Sequence, residues 1–423
     1  MLRLAYFADD FTGATDALES LARAGLRTRL FLDPPAADRC AGLDAVGVAG
    51  LTRSLAPDAM ETVLRPAFSA LRALRPRHVH YKVCSTFDSS PLVGSIGRAI
   101  DVGADVFGGP LVPLLVAAPA LGRYCAFGNL FARYGIGSAG AIHRLDRHPS
   151  VSRHPVTPMT EADLRLHLAR QTSKSVGLVD LLDLERTSEE SASALQALAA
   201  AGHRVVLFDA LNHAHLRRIG GLIDELAGDT PLFSVGSSGV GAALTAHWTL
   251  PGTKFASAAR AESPLLVVSG SCSPVTAGQV EWARAHGFFA LPLAPASRDR
   301  ASELAAIVAA LGAGKHVVAY TSLGHADGEV PAAELGAALG RLAREAVAAA
   351  GLRRIVVAGG DTSSYAGRAL GIESLEMLAP LAPGAPICTA FAPGSPADGL
   401  EIIFKGGQVG APDFFGSAAG GRA

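Results

Sequence analysis

Short apolar runs alternate along this chain with longer stretches in which apolar residues recur every three or four positions. Leu2, Leu4, Ala5, Tyr6 and Phe7 read as a buried strand, and Ala17, Leu18, Leu21 and Ala22 mark one face of the helix that follows. Strand-like runs recur at 46–50, 78–83, 111–118, 176–179 and 204–209, with helical stretches near 59–74 and 164–171. Thr160-Glu161-Ala162-Asp163 resembles a capping box opening the last of these. Residues 249–263 are small and polar with Pro and Gly, which predicts a linker. The pattern then restarts with apolar runs at 264–268, 316–320 and 354–358. Such alternation predicts parallel sheets covered by helices. The expected fold class is α/β, in two domains, each a largely parallel sheet flanked by helices, with a cleft between them. The expected bounds are 1–248 and 264–415 for the domains, 249–263 for the linker and 416–423 for a mobile tail.

Composition narrows the function. The 423 residues include 37 basic and 38 acidic ones, so no basic footprint for nucleic acid or an anionic membrane is present. The five cysteines are scattered without a CxxC pair, which argues against zinc and against a disulfide framework. The apolar run Leu111 to Leu121 is short and broken by Pro113 and Pro119. The start shows no secretory pattern. A cytoplasmic protein with a small-molecule partner is expected, and a homo-oligomer is left open.

Candidate chemistry starts at the first strand's end. Asp9, Asp10, Thr12, Gly13 and Asp16 cluster where open α/β sheets bind ligands, beyond the carboxyl ends of strands. Adjacent aspartates there can bind hydroxyls, hold a metal or take a proton. Capping of the following helix by Asp10 or Thr12 is the plainer alternative. A second loop follows the strand at 78–83. It offers Lys82 as a point charge and Ser85, Thr86, Ser89 and Ser90 as donors, unless Lys82 merely ends an exposed strand. Gly236-Ser237-Ser238-Gly239 is another donor-rich turn. His213 and His215 form an HxH pair without a third ligand, more in keeping with a surface than a metal site. Cys84 and Cys272 lack a neighbouring base, so they are read as small donors rather than nucleophiles.

The second block carries three glycine-bearing loops: Ser269-Gly270-Ser271-Cys272-Ser273, Gly359-Gly360-Asp361-Thr362 and Lys405-Gly406-Gly407 through Gly410. Glycines let backbone amides approach an anion, and helix N-termini add favourable partial charge. Asp361 at such a turn can hold a Mg²⁺ ion that bridges phosphates. None of the loops is a P-loop or a clean GxGxxG fingerprint.

Together these motifs resemble the four-carbon acid sugar kinases. The carrying residues are Ala8 through Ala14, Lys82 with Ser85-Thr86, His154-Pro155 through Thr160, Gly236 through Gly239, and the three second-block loops with Phe414-Phe415, in family order over almost the whole chain. The resemblance implies an N-terminal domain that binds a sugar acid and a C-terminal domain that binds ATP. It implies ATP-dependent phosphorylation of a hydroxyl on a short aldonate or oxo-aldonate. Asp9 and Asp10 would bind substrate hydroxyls, and one would accept a proton. Lys82 would neutralise the substrate carboxylate or the moving phosphoryl group. Thr12, Gly13, Ser85, Thr86 and Asp88 would line the substrate site. Ser269, Gly270, Ser271, Gly359, Gly360, Thr362, Gly406, Gly407 and Gly410 would hold the nucleotide, and Asp361 the Mg²⁺. One departure stands out. Cys84 replaces the family's acid, and Phe87-Asp88-Ser89 replaces its Leu-Arg-Gly ending. Asp88 cannot clamp a carboxylate as an arginine does. Arg53 or Arg98 is the expected substitute, and a branched or oxo sugar acid the expected substrate. A dinucleotide-dependent oxidoreductase of a small hydroxy acid and a non-catalytic sugar-acid sensor are the competing classes.

Overall fold

A computed structural model of the chain describes residues 2–134, 140–154, 156–257, 259–297, 299–323 and 330–420, except the side chain of Asp361. The fold is α/β, and the chain divides into two compact units. The first comprises Met1–Asp9, Ser20–Thr28 and Pro34–Thr253; the second comprises Asp10–Glu19, Arg29–Asp33 and Lys254–Ala423.

In the first unit the strands lie in the order Ala45–Ala49, Leu4–Ala8, His78–Lys82, Leu232–Gly236, Val112–Leu115, Val205–Phe208 and Val176–Val179, all parallel. Leu4–Ala8 and His78–Lys82 are buried at every position, as expected of parallel strands covered on both faces. One cover consists of the helices Pro57–Ala73 and Ile96–Phe107. Phe68 from the first packs on Phe7, Tyr81 and Phe233 of the sheet, and Phe107 from the second stacks on Phe233.

The second unit has a parallel set in the order Phe289–Pro292, Val317–Tyr320, Leu266–Ser269, Arg354–Ala358 and Glu401–Lys405. Three antiparallel strands extend it: Ala385–Phe391, Ser374–Ala382 and Thr28–Phe31. Within this unit Phe11 packs on Phe404 at 4.4 Å between ring centroids.

Most elements read from the pattern are present, with shifted ends. Thr160 does not cap the helix at Leu164–Ala169; Asp163 does, accepting from the Arg165 amide. The Ser374–Phe391 hairpin carries no clean alternation, since both faces of Ala385–Phe391 are largely buried. The small antiparallel sheet of Arg123–Ala126, Asn129–Arg133 and Ile142–Arg144 likewise gave no separate signal. Residues Phe414–Ala418 form a short helix, and Arg354 Nη1 donates to the Ala418 carbonyl at 2.8 Å. The small residues from 416 are thus packed through Ala419 rather than forming a mobile tail. Residues 421–423 lie outside the described set.

Candidate functional site

In the first unit three strand ends lie side by side. Asp9 donates its amide to the Lys82 carbonyl at 2.9 Å, and Val83 to the Gly236 carbonyl at 2.7 Å. Gly50 and Arg53 close the other flank, their amides donating to Ala8 and Asp9 carbonyls at 2.9 and 3.1 Å. That backbone frame fixes Asp9, Lys82 and Arg53 near one another. Arg53 forks onto the Asp9 carboxylate, Nη2 to Oδ1 at 2.7 Å and Nε to Oδ2 at 3.1 Å. Asp9 is only 2% exposed. A buried carboxylate needs such a partner, because an unpaired one would be costly to desolvate. Lys82 is equally buried, with Nζ donating to the Val83 carbonyl at 3.0 Å. It does not end an exposed strand. Arg98 instead pairs with Glu61 at 2.5 Å, so Arg53 is the arginine joined to the acidic turn.

Asp10 takes the capping role. Its Oδ1 accepts from the Gly13 amide at 2.7 Å at the start of helix Phe11–Arg23. The two adjacent acids therefore differ: Asp9 is paired with a guanidinium, and Asp10 completes a helix end.

In the loop after Lys82, the half-buried Cys84 shares a hydrogen bond with Thr86 Oγ1 at 2.9 Å. Burial pushes its thiol up to about 12, helped by the Asp88 charge, so it stays protonated and serves as a donor. Phe87 has φ of +58°, in the left-handed region, and is fully buried. Its ring lies 5.8 Å from that of His167. Ser89 is tied to the same histidine at 2.9 Å, donates to the Phe87 carbonyl at 3.0 Å and accepts from Gln171 Nε2 at 3.1 Å. One hydroxyl donor and two acceptor positions are thereby filled. Burial holds His167 down to about 4, so it is neutral at pH 7.

The HxH pair is structural. Asn212 caps helix His213–Leu226, and His215, buried rather than on the surface, pairs with Glu185 at 2.8 Å. Among the described residues no group of three His, Cys, Asp or Glu is arranged to hold a metal ion.

In the second unit the three glycine loops converge. Gly359 has φ of +122°, which few side-chain-bearing residues adopt, and a Cβ there would lie 2.8 Å from Thr362 Oγ1 and 3.3 Å from the Ser271 amide nitrogen. A Cβ on Gly407 would meet Ser271 Oγ at 3.0 Å. Thr12 joins this cluster, since a Cβ on Gly406 would lie 2.9 Å from Thr12 Cγ2 and one on Gly360 3.7 Å from its Oγ1. Ser269, Gly270, Ser271, Gly359, Gly360, Thr362, Gly406, Gly407 and Thr12 are therefore near neighbours. At Gly410, with φ of +90°, a Cβ would meet the Phe414 ring and none of these residues is among its nearest neighbours. The Asp361 carboxylate lies outside the described residues.

Three bracing residues gave no role in the sequence reading. Lys405 is fully buried, with Nζ donating to Thr276 Oγ1 at 2.9 Å and to the Gly406 carbonyl at 3.0 Å. Thr276 in turn donates to the Gly407 carbonyl at 2.9 Å. A trans peptide sets C=O and N–H in opposite directions. The amides of Gly407 and Gln408 therefore face away from the lysine, and neither donates a hydrogen bond among the described residues. Two amides free to meet an anion are the outcome. Gln279 Nε2 fixes the next turn by donating to the Val409, Gly410 and Ala411 carbonyls at 3.0, 3.1 and 2.9 Å. A lysine ending an apolar strand before two glycines was the available signal for Lys405. Gln279, on a helix distant in sequence, offered none.

Residues 4–244 match a sugar-binding N-terminal domain family and residues 266–415 a nucleotide-binding C-terminal domain family. The chain belongs to the four-carbon acid sugar kinase family. It is 44% identical to a 3-oxo-isoapionate kinase of Paraburkholderia graminis, over all of this chain and 95% of that protein. A 3-oxo-tetronate kinase of Methylobacterium radiotolerans is 34% identical over 99% of this chain and 98% of its own length. A crystal structure from Salmonella typhimurium LT2, named only provisionally as a tRNA synthase, superposes with a TM-score of 0.82 at 27% identity, covering 99% of this chain and 98% of that one.

Proposed function

We infer that this protein is a kinase that transfers the terminal phosphoryl group of ATP to a hydroxyl of a short sugar acid, and that the acid is a branched 3-oxo one. The observation that carries the reading is the cluster of glycine loops braced by Lys405, joined in one chain to the buried Asp9–Arg53 pair and Lys82. Phosphoryl transfer is largely positioning and charge neutralisation. Free amides and a buried lysine suit the donor's phosphates. An acidic turn beside a lysine suits a polyhydroxylated acid. The branched substrate is supported by the 44% identity to a 3-oxo-isoapionate kinase and by Asp88 standing where the family carries arginine.

In this reading Asp10, or Asp9 relieved by Arg53, accepts the proton of the attacking hydroxyl, and Lys82 faces the substrate carboxylate or the moving phosphoryl group. Thr12 Oγ1 beside Gly360, Thr362 Oγ1 beside Gly359 and Ser271 Oγ beside Gly407 are oxygen donors of the kind that fits a hard cation. Mg²⁺ would be held there with Asp361, and it would neutralise charge on the transferring phosphates. A coupled ADP-release assay over four- and five-carbon aldonates and their 2- and 3-oxo forms tests the reading. Turnover should be greatest with a branched 3-oxo acid. Equal turnover with unbranched tetronates would overturn the choice of substrate, and no ADP release with any acid would overturn the kinase.

A further inference from the structure

Three arginines among the described residues have a buried Nε that meets no acceptor: Arg98, Arg123 and Arg300. Arg98 is paired with Glu61 and Arg300 with Glu303. Arg123 has no such partner. It is 6% exposed and forms no ion pair among the described residues. Its Nη1 is taken up by backbone, donating to the Leu121 and Arg133 carbonyls at 2.9 and 3.1 Å, with that of Gly122 at 3.5 Å. Nη2 makes no hydrogen bond among the described residues. The edge left over, Nε with Nη2, is the one that Arg53 turns to Asp9. Two parallel N–H groups there match the two oxygens of a carboxylate. A buried charge without a counter-charge is costly, and burial holds this guanidinium below the usual arginine range, opposed by Cys84, Asp88 and Tyr124. Asp88 is the only carboxylate among those three, and it does not pair with Arg123.

The same arginine lies in the row of strand ends that forms the candidate site. Arg123 and Ala118 exchange backbone hydrogen bonds, at 3.0 and 3.2 Å, just beyond the carboxyl end of strand Val112–Leu115. Ser237 donates its amide to the Leu115 carbonyl at 3.0 Å, as Val83 does to Gly236 and Asp9 to Lys82. Leu115 thus stands two strands from Lys82, about 10 Å across the sheet. Cys84 and Asp88, whose charges reach Arg123, belong to the loop that follows Lys82.

We propose that Arg123 binds the carboxylate of the sugar acid on its Nε–Nη2 edge. The inference rests on the kinase reading and deepens it. The substrate supplies the counter-charge that the chain itself does not. Arg123 and Lys82 then take opposite ends of one short molecule, the carboxylate at Arg123 and the moving phosphoryl group at Lys82. Nε is sealed from water in this structure, so the acid displaces the cover of that atom as it seats. A neutral sugar offers the fork no charge, and selection for an acid follows.

The test runs the ADP-release assay with the branched 3-oxo acid and with its carboxamide, which keeps the shape and loses the charge. The full chain is used as wild type, Arg123→Gln and Arg123→Lys. Wild type should favour the acid by at least about tenfold in kcat/KM. Arg123→Gln should raise KM for the acid about 30-fold and erase the preference over the carboxamide, with KM for ATP within about twofold of wild type. Arg123→Lys keeps the charge without the fork. It should raise KM for the acid about tenfold and cut the preference about threefold, and it decides the matter where Arg123→Gln fails to fold. An acid preference unchanged in the variants, whatever their melting temperatures, would overturn the assignment and leave the kinase standing, with Arg123 a brace for backbone alone. Wild type that releases no ADP with any acid would overturn the kinase reading itself, and the assignment with it.

Discussion

Arg53 lies with two nitrogens against the two carboxylate oxygens of Asp9, at 2.7 and 3.1 Å, in a part of the first unit where Asp9 is almost wholly shielded from water. This bidentate pair sets both the charge and the orientation of the first acid of the turn. Removing the guanidinium strands a buried charge. Arg53→Met should destabilise the first unit by about 3–5 kcal/mol, read by urea denaturation. Arg53→Lys should recover part of the stability and little of the turnover, since an ammonium cannot reproduce the fork. Equal stability of Arg53→Met and wild type would show that the pair carries no weight.

Asp10→Asn and Asp10→Ala separate capping from chemistry. Asparagine caps a helix as well as aspartate does, whereas alanine costs about 1 kcal/mol. Both variants should lower turnover by roughly 10²-fold, the usual size of a general-base contribution, with ATP binding nearly intact. Only Asp10→Ala should lower the melting temperature. Full turnover in Asp10→Asn would remove Asp10 from the reaction.

Lys405 is pushed down to about 7 by burial, and its neighbours Thr276, Gly406, Gly407 and Phe414 carry no charge to offset this. The unfolded chain keeps its lysine protonated up to about 10.4. Between those values the unfolded state binds the extra proton, so this group makes stability rise with pH across that window. Lys405→Met should flatten the rise and leave the protein no less stable at pH 7. An anion on the adjacent amides favours the charged amine, so nucleotide binding near pH 8 should take up a proton in wild type but not in Lys405→Met. Calorimetry in buffers of different ionisation enthalpy checks this.

His80 and His167 act at the acid end. Burial, with the Lys82 charge adding for His80, holds them down to about 3 and about 4. As pH falls from 6.5 toward 4 the unfolded state protonates first, and the first unit loses stability. His167→Gln should reduce that acid sensitivity, followed by chemical denaturation at pH 7 and pH 5. An unchanged slope would show that His167 is not the group responsible.

Asp88→Arg tests the substrate loop. It restores the charge the family carries, and should shift kcat/KM toward unbranched 3-oxo-tetronate over a branched acid by about tenfold. No shift in that ratio would place specificity elsewhere.

The parallel cores were legible because strands such as Leu4–Ala8 and Arg354–Ala358 are continuous apolar runs, and because a glycine or acid ends each one. The three glycine loops were legible for the same reason. What the pattern did not carry was side-chain pairing over long sequence distances. Nothing local marks Arg53 as the partner of Asp9, 44 residues earlier, or Gln279 as the brace of a turn 130 residues later. Strand Ala385–Phe391 of the hairpin was missed because burial on both faces removes the alternation on which a strand reading depends.

The non-contiguous second unit has a consequence for biosynthesis. Residues 10–19 and 29–33 leave the ribosome first, yet Phe11 packs on Phe404, and Leu30 and Phe31 pair with Leu375 and Ser374. Those partners are made only as translation nears its end. The early segment must therefore wait, apolar and unpartnered within its own unit, through some 340 residues of elongation (Phe31 to Ser374). A gene fragment starting at residue 254 would lack it altogether, and its product should expose Phe404 and the free edge of Ser374–Ala382 to self-association.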